Sequence, residues 1–234
     1  MIDFHTHILP GIDDGSKDIE MTERMLEMEA AQGVEVVYAT PHFYAHRRNV
    51  ESFLKRREQS YGQVKQLLAS RSDLPQVRAG AEVYYFHGMG RANQLPALCI
   101  EGTRVLLLEM PFEQWTDSVY RDVADIVRRW ELKVVLAHVE RYIDFQKDRS
   151  VWNEVMELPV TIQMNAGNFL QFGLKRRWCM NLLTSDERTI IGTDCHNLVS
   201  RPPNLGQARS YIEKRAGREV LERIDRLEAE LLDL

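Results

Sequence analysis

Arg104-Val105-Leu106-Leu107-Leu108-Glu109 and Lys133-Val134-Val135-Leu136-Ala137-His138 are short apolar runs, each ending in a side chain able to bind a metal ion. Neither run alternates apolar with polar residues, so both read as strands buried on two faces, the pattern of a parallel sheet. Residues 115–130 lie between them and read as a helix, which completes a strand–helix–strand unit. Towards the N-terminus, residues 2–4 open the chain as a strand. Residues 19–32 form a helix with Met21, Met25 and Met28 on one face, and Gly33 closes it. A strand over 34–40 stops at Pro41, a long polar helix covers 50–70, and a strand covers 77–84. Towards the C-terminus, a helix over 151–158 precedes a strand over 160–164, and a helix over 174–183 precedes a strand over 189–192. Helices over 205–215 and 218–232 finish the chain.

The sum is seven strand–helix units with no linker and no low-complexity segment. The expected fold is α/β, a distorted seven-stranded (β/α)7 TIM-like barrel forming a single domain over 1–234. An open doubly wound sheet is the alternative. On the last helix Val220, Ile224, Leu227 and Leu231 make an apolar stripe, which reads as packing on the barrel in preference to an oligomer seam.

Composition narrows the function classes. The chain has 234 residues, a net charge of −5, 44% hydrophobic and 28% charged residues. Arg47-Arg48 and Lys175-Arg176-Arg177 are local basic clusters that read as solvated surface. No broad basic footprint exists, so a nucleic-acid partner is not expected. Three cysteines are too few and odd in number for a disulfide framework, which fits a reducing, cytoplasmic setting. No membrane insertion is expected, and His5 stands too near Met1 to leave room for a cleavable leader.

The chemistry lies in where His, Asp and Glu fall. His5 and His7 follow the first strand, Asp14 its loop, and His42 the second strand. Glu82, Glu109 and His138 end the third, fourth and fifth strands, and Asp194 and His196 follow the seventh. That is the rim on which barrels carry their active sites. Residues two apart on a strand share a side, so His5 with His7, and Asp194 with His196, can reach one centre while Thr6 and Cys195 turn away. Singly each signal is weak: a lone His-x-His pair is as often structural, and Asp14 could merely cap the helix after it. Together they require an explanation, because buried carboxylates are costly unless a cation or hydrogen bonds meet them. His46 and His87 sit in polar or glycine-containing loops and read as surface.

Several segments resemble the PHP (polymerase and histidinol phosphatase) superfamily, in its branch of bacterial capsule-type, manganese-dependent tyrosine phosphatases of the CpsB and YwqE type. The matching segments are Met-Ile-Asp-Phe-His-Thr-His at 1–7, Asp-Asp-Gly at 13–15, Thr-Pro-His at 40–42 and Gly-Ala-Glu-Val-Tyr-Tyr at 80–85. Ala-His-Val-Glu-Arg-Tyr at 137–142, Asp-Cys-His-Asn at 194–197 and Arg-Pro-Pro at 201–203 complete the set. The resemblance implies a PHP-type barrel with three divalent ions at its mouth. Carried across, His5, His7, Glu82 and Asp194 would hold the first ion. Glu82 would bridge to a second, held by Glu109 and His138, and Asp14, His42 and His196 would hold the third. Relatives outside the branch often have His where this chain has Asp14 and Glu109, whereas the capsule branch has carboxylates. Residues 165–183 look shorter than usual for the branch, so subunit contacts stay open.

The implied activity is hydrolysis of phosphotyrosine, with an autophosphorylated bacterial tyrosine kinase of capsule or exopolysaccharide assembly as the partner. A His and carboxylate set suits Mn, Fe or Zn, and the carboxylate share favours Mn. Clustered ions would acidify a bridging water to supply hydroxide. Arg141 and Arg201 lie just beyond His138 and His196, and match arginines that contact phosphate in the resembling branch; their forked guanidinium suits phosphate oxygens. Tyr84, Tyr85 and Tyr142 could receive an aromatic ring or simply pack.

Cys195 and Arg201 also satisfy the Cys-x5-Arg spacing of cysteine-dependent tyrosine phosphatases. That loop has no glycine to form an anion-binding nest, and Pro202 and Pro203 follow it without N–H groups. The cysteine route is therefore rejected. The competing functions are a small-molecule phosphatase such as one for histidinol phosphate, a nuclease, and a non-catalytic metal-binding subunit. The native metal, any general acid and the oligomeric state are open at this level.

Overall fold

The computed structural model describes residues 1–233. The apolar runs become strands buried throughout: all five residues of Val105–Glu109 are buried, as are Val134, Val135 and Leu136. Each fully buried leucine of this kind contributes roughly 1.5–3 kcal/mol relative to exposure. In chain order the elements are β1 (Ile2–Thr6), α1 (Ile19–Ala31), β2 (Val36–Ala39), β3 (His42–Phe43), α2 (Val50–Ser70), β4 (Gln76–Ala79) and β5 (Glu82–Tyr84). They continue with β6 (Val105–Glu109), α3 (Asp117–Arg129), β7 (Lys133–Leu136), α4 (Ser150–Glu157), β8 (Thr161–Asn165), α5 (Gly167–Leu170) and α6 (Leu174–Ser185). The chain ends with β9 (Thr189–Gly192), α7 (Leu205–Ala216) and α8 (Arg218–Leu232).

Every strand pair is parallel. The strands form a three-stranded sheet, β1-β2-β4, and a six-stranded sheet, β3-β5-β6-β7-β8-β9. Strand order follows chain order in both, so the reversal that defines a doubly wound sheet does not occur, and that alternative is set aside.

The seven expected strands need one correction. The hydrogen bonds among the described residues define two sheets, and no single closed ring of seven strands. The runs expected over 34–40 and 77–84 are each broken in two. Pro41 has no N–H and restricts Thr40, which separates β2 from β3. Gly80 separates β4 from β5, where a Cβ would stand 3.1 Å from Ile100 Cγ1 and 3.3 Å from Thr40 Cγ2. The sheets meet at two seams. The first is hydrogen-bonded, with Asp194 N donating to His5 O at 2.8 Å and His7 N to Cys195 O at 2.9 Å; at the second the chain itself crosses from one sheet to the other, at Thr40-Pro41 between β2 and β3 and at Gly80-Ala81 between β4 and β5. The buried Asp3 carboxylate strengthens the first seam by accepting from Thr193 N (2.9 Å) and Thr193 Oγ1 (2.5 Å).

The helices start where their caps dictate. Asp18 Oδ1 accepts from Met21 N at 2.8 Å to begin α1, and Asn49 Oδ1 accepts from Ser52 N at 2.8 Å to begin α2. Asp14 caps neither. On α8 the inward face is Leu221, Ile224, Glu228, Leu231 and Leu232, so Val220 and Leu227 of the expected stripe sit at its edges. This face packs on α7 and β9, as expected of a stripe that covers the sheet. The strands' C-terminal ends all point to one rim, which carries the polar side chains described next.

Candidate metal centre

Strand β1 brings the first two imidazoles inward, as its alternation requires. His5 and His7 are fully buried, and their Nε2 atoms are 3.1 Å apart. Asp194 Oδ1 lies 3.5 Å from His5 Nε2 and 3.3 Å from His7 Nε2. Glu82 Oε2 lies 3.4 and 3.3 Å from the same nitrogens. The outward ring nitrogens are held separately: His5 Nδ1 meets Gln163 Oε1 at 3.2 Å, and His7 Nδ1 meets Asp13 Oδ2 at 2.7 Å. Such outer partners fix which nitrogen faces the centre.

Glu82 joins this group to the next. His138 Nε2 is 2.8 Å from Glu82 Oε1 and 3.6 Å from Glu109 Oε1. His42 Nδ1 is 2.9 Å from Glu82 Oε2 and 3.7 Å from Glu109 Oε2. On the solvent side, Asp14 Oδ1 lies 3.5 Å from His42 Nε2 and 3.7 Å from His196 Nε2. Three sets therefore have ligand atoms within 4.8 Å of one another: His5, His7 and Asp194; His42, Glu82 and Glu109; and His7, Asp14, His42 and His196. The structure brings all nine expected residues into one cluster. It divides them less cleanly than the sequence suggested, since His7 and His42 each belong to two sets.

A cation fits this donor set. Glu109 Oε2 and His196 Nε2 are buried without a hydrogen-bond partner, and His42 Nδ1 and Glu82 Oε2, though 2.9 Å apart, are not aligned for a hydrogen bond. A buried polar atom left unpaired costs about 1–3 kcal/mol, and here several such atoms converge. Burial, then the neighbouring Glu82, pushes the Glu109 carboxyl up to about 7. Burial opposes ionisation of Glu82 too, but His5, His138 and His42 outweigh it and hold its carboxyl well below the ordinary range. The backbone is shaped for the same purpose. His138 (φ 31°) and Asp194 (φ 53°) adopt left-handed conformations, which cost roughly 1–3 kcal/mol each away from glycine.

Arg141 and Arg201 stand at the mouth, each about two-fifths exposed. Arg201 Nη2 is 2.5 Å and Arg141 Nη1 4.0 Å from Asp194 Oδ2. Both line a cleft that also contains Asn165 and Ser200. The Arg141 guanidinium rests over the Phe112 ring at 4.8 Å.

Other expected participants separate by geometry. Tyr142 is fully buried; its hydroxyl meets His138 Nδ1 at 3.0 Å and accepts from Met110 N at 3.0 Å. Tyr85 bonds Asp122 Oδ2 at 2.8 Å and belongs to the packing against α3. Tyr84 stays half-buried near the rim, with its ring 5.6 Å from that of Tyr44. Cys195 is fully buried with Sγ 3.9 Å from Glu29 Oε1, and burial pushes its thiol well above the ordinary range. Asn197 Oδ1 takes the amides of Val199 (2.9 Å), Ser200 (2.8 Å) and Arg201 (3.2 Å), so the Cys-x5-Arg loop has spent the N–H groups an anion would need.

Sequence reasoning missed Asp13, Tyr44, Gln163 and Asn165. Asn165 Nδ2 donates to Asp194 Oδ2 at 2.8 Å, and Asp13 Oδ2 also accepts from His42 N at 3.0 Å. A signal existed for Gln163, an amide inside an apolar strand, and for Asn165, at the end of the one strand to which no ligand was assigned.

Imidazoles and carboxylates gathered at the C-terminal rim of parallel strands define a candidate polynuclear metal centre on an α/β frame. The chain belongs to the CpsB/CapC family of capsular polysaccharide synthesis, whose model matches residues 1–232. It is 26% identical over 227 residues to the tyrosine-protein phosphatase CpsB of Streptococcus pneumoniae, covering 93% of this chain and 91% of that one. It is 28% identical over 232 residues to the tyrosine-protein phosphatase YwqE of Bacillus subtilis, covering 94% and 87%. The fold matches a structure from a crystallographic study of YwqE and CpsB, described as metal-dependent tyrosine phosphatases, with a TM-score of 0.84 at 22% identity, over 100% of this chain and 94% of that one. A histidinol phosphate phosphatase from Lactococcus lactis, complexed with zinc, L-histidinol and phosphate, shares the fold at a TM-score of 0.57 and 15% identity, over 92% and 93%. The resemblance to proteins of the CpsB and YwqE type stands.

Proposed function

We propose that this chain is a metal-dependent protein-tyrosine phosphatase, a phosphoric monoester hydrolase. The observation that carries the reading is the convergence of buried, unpartnered ligand atoms beside Arg141 and Arg201. The names of its relatives within the CpsB/CapC family support the same activity. His5, His7, Glu82 and Asp194 would hold one divalent ion, Glu82, Glu109 and His138 a second, and Asp14, His42 and His196 a third, with Mn favoured over Fe or Zn. Bound there, such ions supply Lewis acidity and an acidified water as nucleophile.

The chain's own residues do the rest. Gln163, Asp13 and Tyr142 hold the rings of His5, His7 and His138 at their outer nitrogens. Arg141 and Arg201 grip the non-bridging phosphoryl oxygens with paired N–H donors and offset charge as it develops. The half-buried rings of Tyr44 and Tyr84 flank the substrate's aromatic ring. Tyrosinate, with a parent pKa of about 10, leaves without strong acid help.

The proposed substrate is a phosphotyrosine protein, and the proposed partner a bacterial tyrosine kinase of capsule or exopolysaccharide assembly, met in the cytoplasm. No nucleic acid and no membrane insertion enter this reading; among the described residues no helix is long and apolar enough to cross a membrane. We read β2 with β3, and β4 with β5, as two bent strands of a distorted seven-stranded PHP-type barrel spanning 1–234 as one domain. The seam bonds at Thr6 and Cys195 support that reading.

The test is hydrolysis of a phosphotyrosine peptide after chelation, after return of Mn, and in Cys195→Ser and His42→Ala. Activity should vanish with chelator and return with Mn. The cysteine variant should stay within about twofold of the parent, and His42→Ala should fall more than about a hundredfold, as expected when a first-contact ligand is removed where outer partners already cost 10–100-fold. A strong preference for histidinol phosphate, or full activity without metal, would overturn the assignment.

A further inference from the structure

A cleft of about 440 Å³ runs from Asp14 and His42 past Tyr44 to Arg47, Arg48 and Arg56. Arg56 is anchored, donating to Gly11 O and Ile12 O at 3.4 Å. Arg47 and Arg48 are exposed, and among the described residues neither pairs with a carboxylate. The acidic side chains of the same cleft are engaged elsewhere: Asp13 meets His7 Nδ1 at 2.7 Å, and Asp14 faces His42 and His196.

The cations are also placed. The Arg47 guanidinium lies 4.6 Å from the Tyr44 ring centre, and the Tyr44 ring lies 5.1 Å from that of His42. A continuous wall therefore links the metal centre to the arginines. Asn49 caps α2 directly after them, so the positive end of a 21-residue helix dipole adds to the field. In a chain of net charge −5, this is a local exception.

We propose that Arg47 and Arg48 form a subsite for an anionic side chain flanking the phosphotyrosine, so that the protein selects phosphotyrosines with acidic neighbours. The inference rests on the tyrosine-phosphatase reading and adds its sequence preference. Two exposed pairings of this kind change affinity about three- to tenfold, screened by salt. The anion is a carboxylate or a second phosphate on the same peptide; both carry the chemistry an unpaired guanidinium recognises.

The experiment uses the Mn-loaded full chain and three phosphotyrosine peptides alike except for flanking Glu, flanking Gln or a second phosphotyrosine. The Glu peptide should exceed the Gln peptide about three- to tenfold in kcat/KM, through KM and not kcat, with the difference fading at high salt. Arg47→Ala/Arg48→Ala should bring the ratio to about one, and Arg47→Glu/Arg48→Glu should invert it. Lys175→Ala/Arg176→Ala, in the other basic cluster, should leave the ratio unchanged. A larger gain with the doubly phosphorylated peptide would identify phosphate as the anion and support the subsite. Equal rates on all three peptides, with p-nitrophenyl phosphate still hydrolysed, overturn the subsite alone. No hydrolysis of any aryl phosphate would remove the phosphatase reading and the subsite with it.

Discussion

Gln163 Oε1 accepts from two places at once, His5 Nδ1 at 3.2 Å and the His138 amide at 2.7 Å. One amide on β8 thus holds an imidazole from β1 and the left-handed turn that presents His138. Gln163→Leu keeps the size and removes the acceptor. It should weaken Mn binding about 10–100-fold, the usual cost of losing an outer partner of a metal ligand. Calorimetric titration checks this, and unchanged affinity would show that ring orientation is set elsewhere. Cys195 makes the opposite prediction. Its thiol is fully buried and faces Glu29, away from the imidazoles. Native protein should resist iodoacetamide at this position while activity persists; rapid alkylation there with parallel inactivation would revive the cysteine route. The residue types at the centre were legible because His, Asp and Glu recur at strand ends. Gln163 and Asn165 were marked only by position, an amide inside an apolar strand and a polar strand end, because a neutral amide shows no role at the centre until it is seen touching one of these side chains.

At the scale of elements, the loop from β1 to α1 is wrapped tightly over His7. A Cβ on Gly15 would stand 2.1 Å from the His7 carbonyl oxygen, and Ser16 N donates to that same oxygen at 2.9 Å. Gly15→Ala must therefore move His7 or unfold the loop, and Mn binding should drop at least about tenfold, as for other displaced ligands. Wild-type affinity in that variant would mean the loop can open without cost. Helix α8 makes a separate prediction. Glu228 is buried on its inward face with both carboxylate oxygens unpartnered. Burial raises its pKa well above the ordinary 4.5, with Arg209 opposing. Between 4.5 and the raised value, the folded chain holds a proton that the unfolded chain has lost, so stability falls as pH rises through that interval. Glu228→Gln should therefore lose less stability than the parent between about pH 5 and 8. Denaturant melts at the two values test it, and parallel losses would refute it. The breaks at Pro41 and Gly80 were written in the sequence, yet the apolar runs around them masked how they divide two strands into four.

The whole molecule gathers four carboxylates and five imidazoles from far-separated strands. Without cations these groups leave buried atoms unsatisfied, so metal binding should appear as global stability. At Mn one hundredfold above its dissociation constant, each ion adds about 2.7 kcal/mol. For a chain of this size that is about 5–10 °C in Tm per ion. Thermal unfolding with chelator and with graded Mn measures the effect, and a Tm indifferent to both would contradict a centre of bound ions.

The order of strands and helices, the parallel class and the candidate ligand residues at one rim were determined by the sequence alone. Apolar runs, glycine and proline punctuation, and residue chemistry are local properties. Tertiary structure alone decided how the strands divide between two sheets, which ligands face two sets at once, which amides hold the imidazoles, and that Arg47 and Arg48 border the centre. Those facts depend on distances between segments remote in the chain, and such distances exist only once hydrophobic burial has packed the strands together.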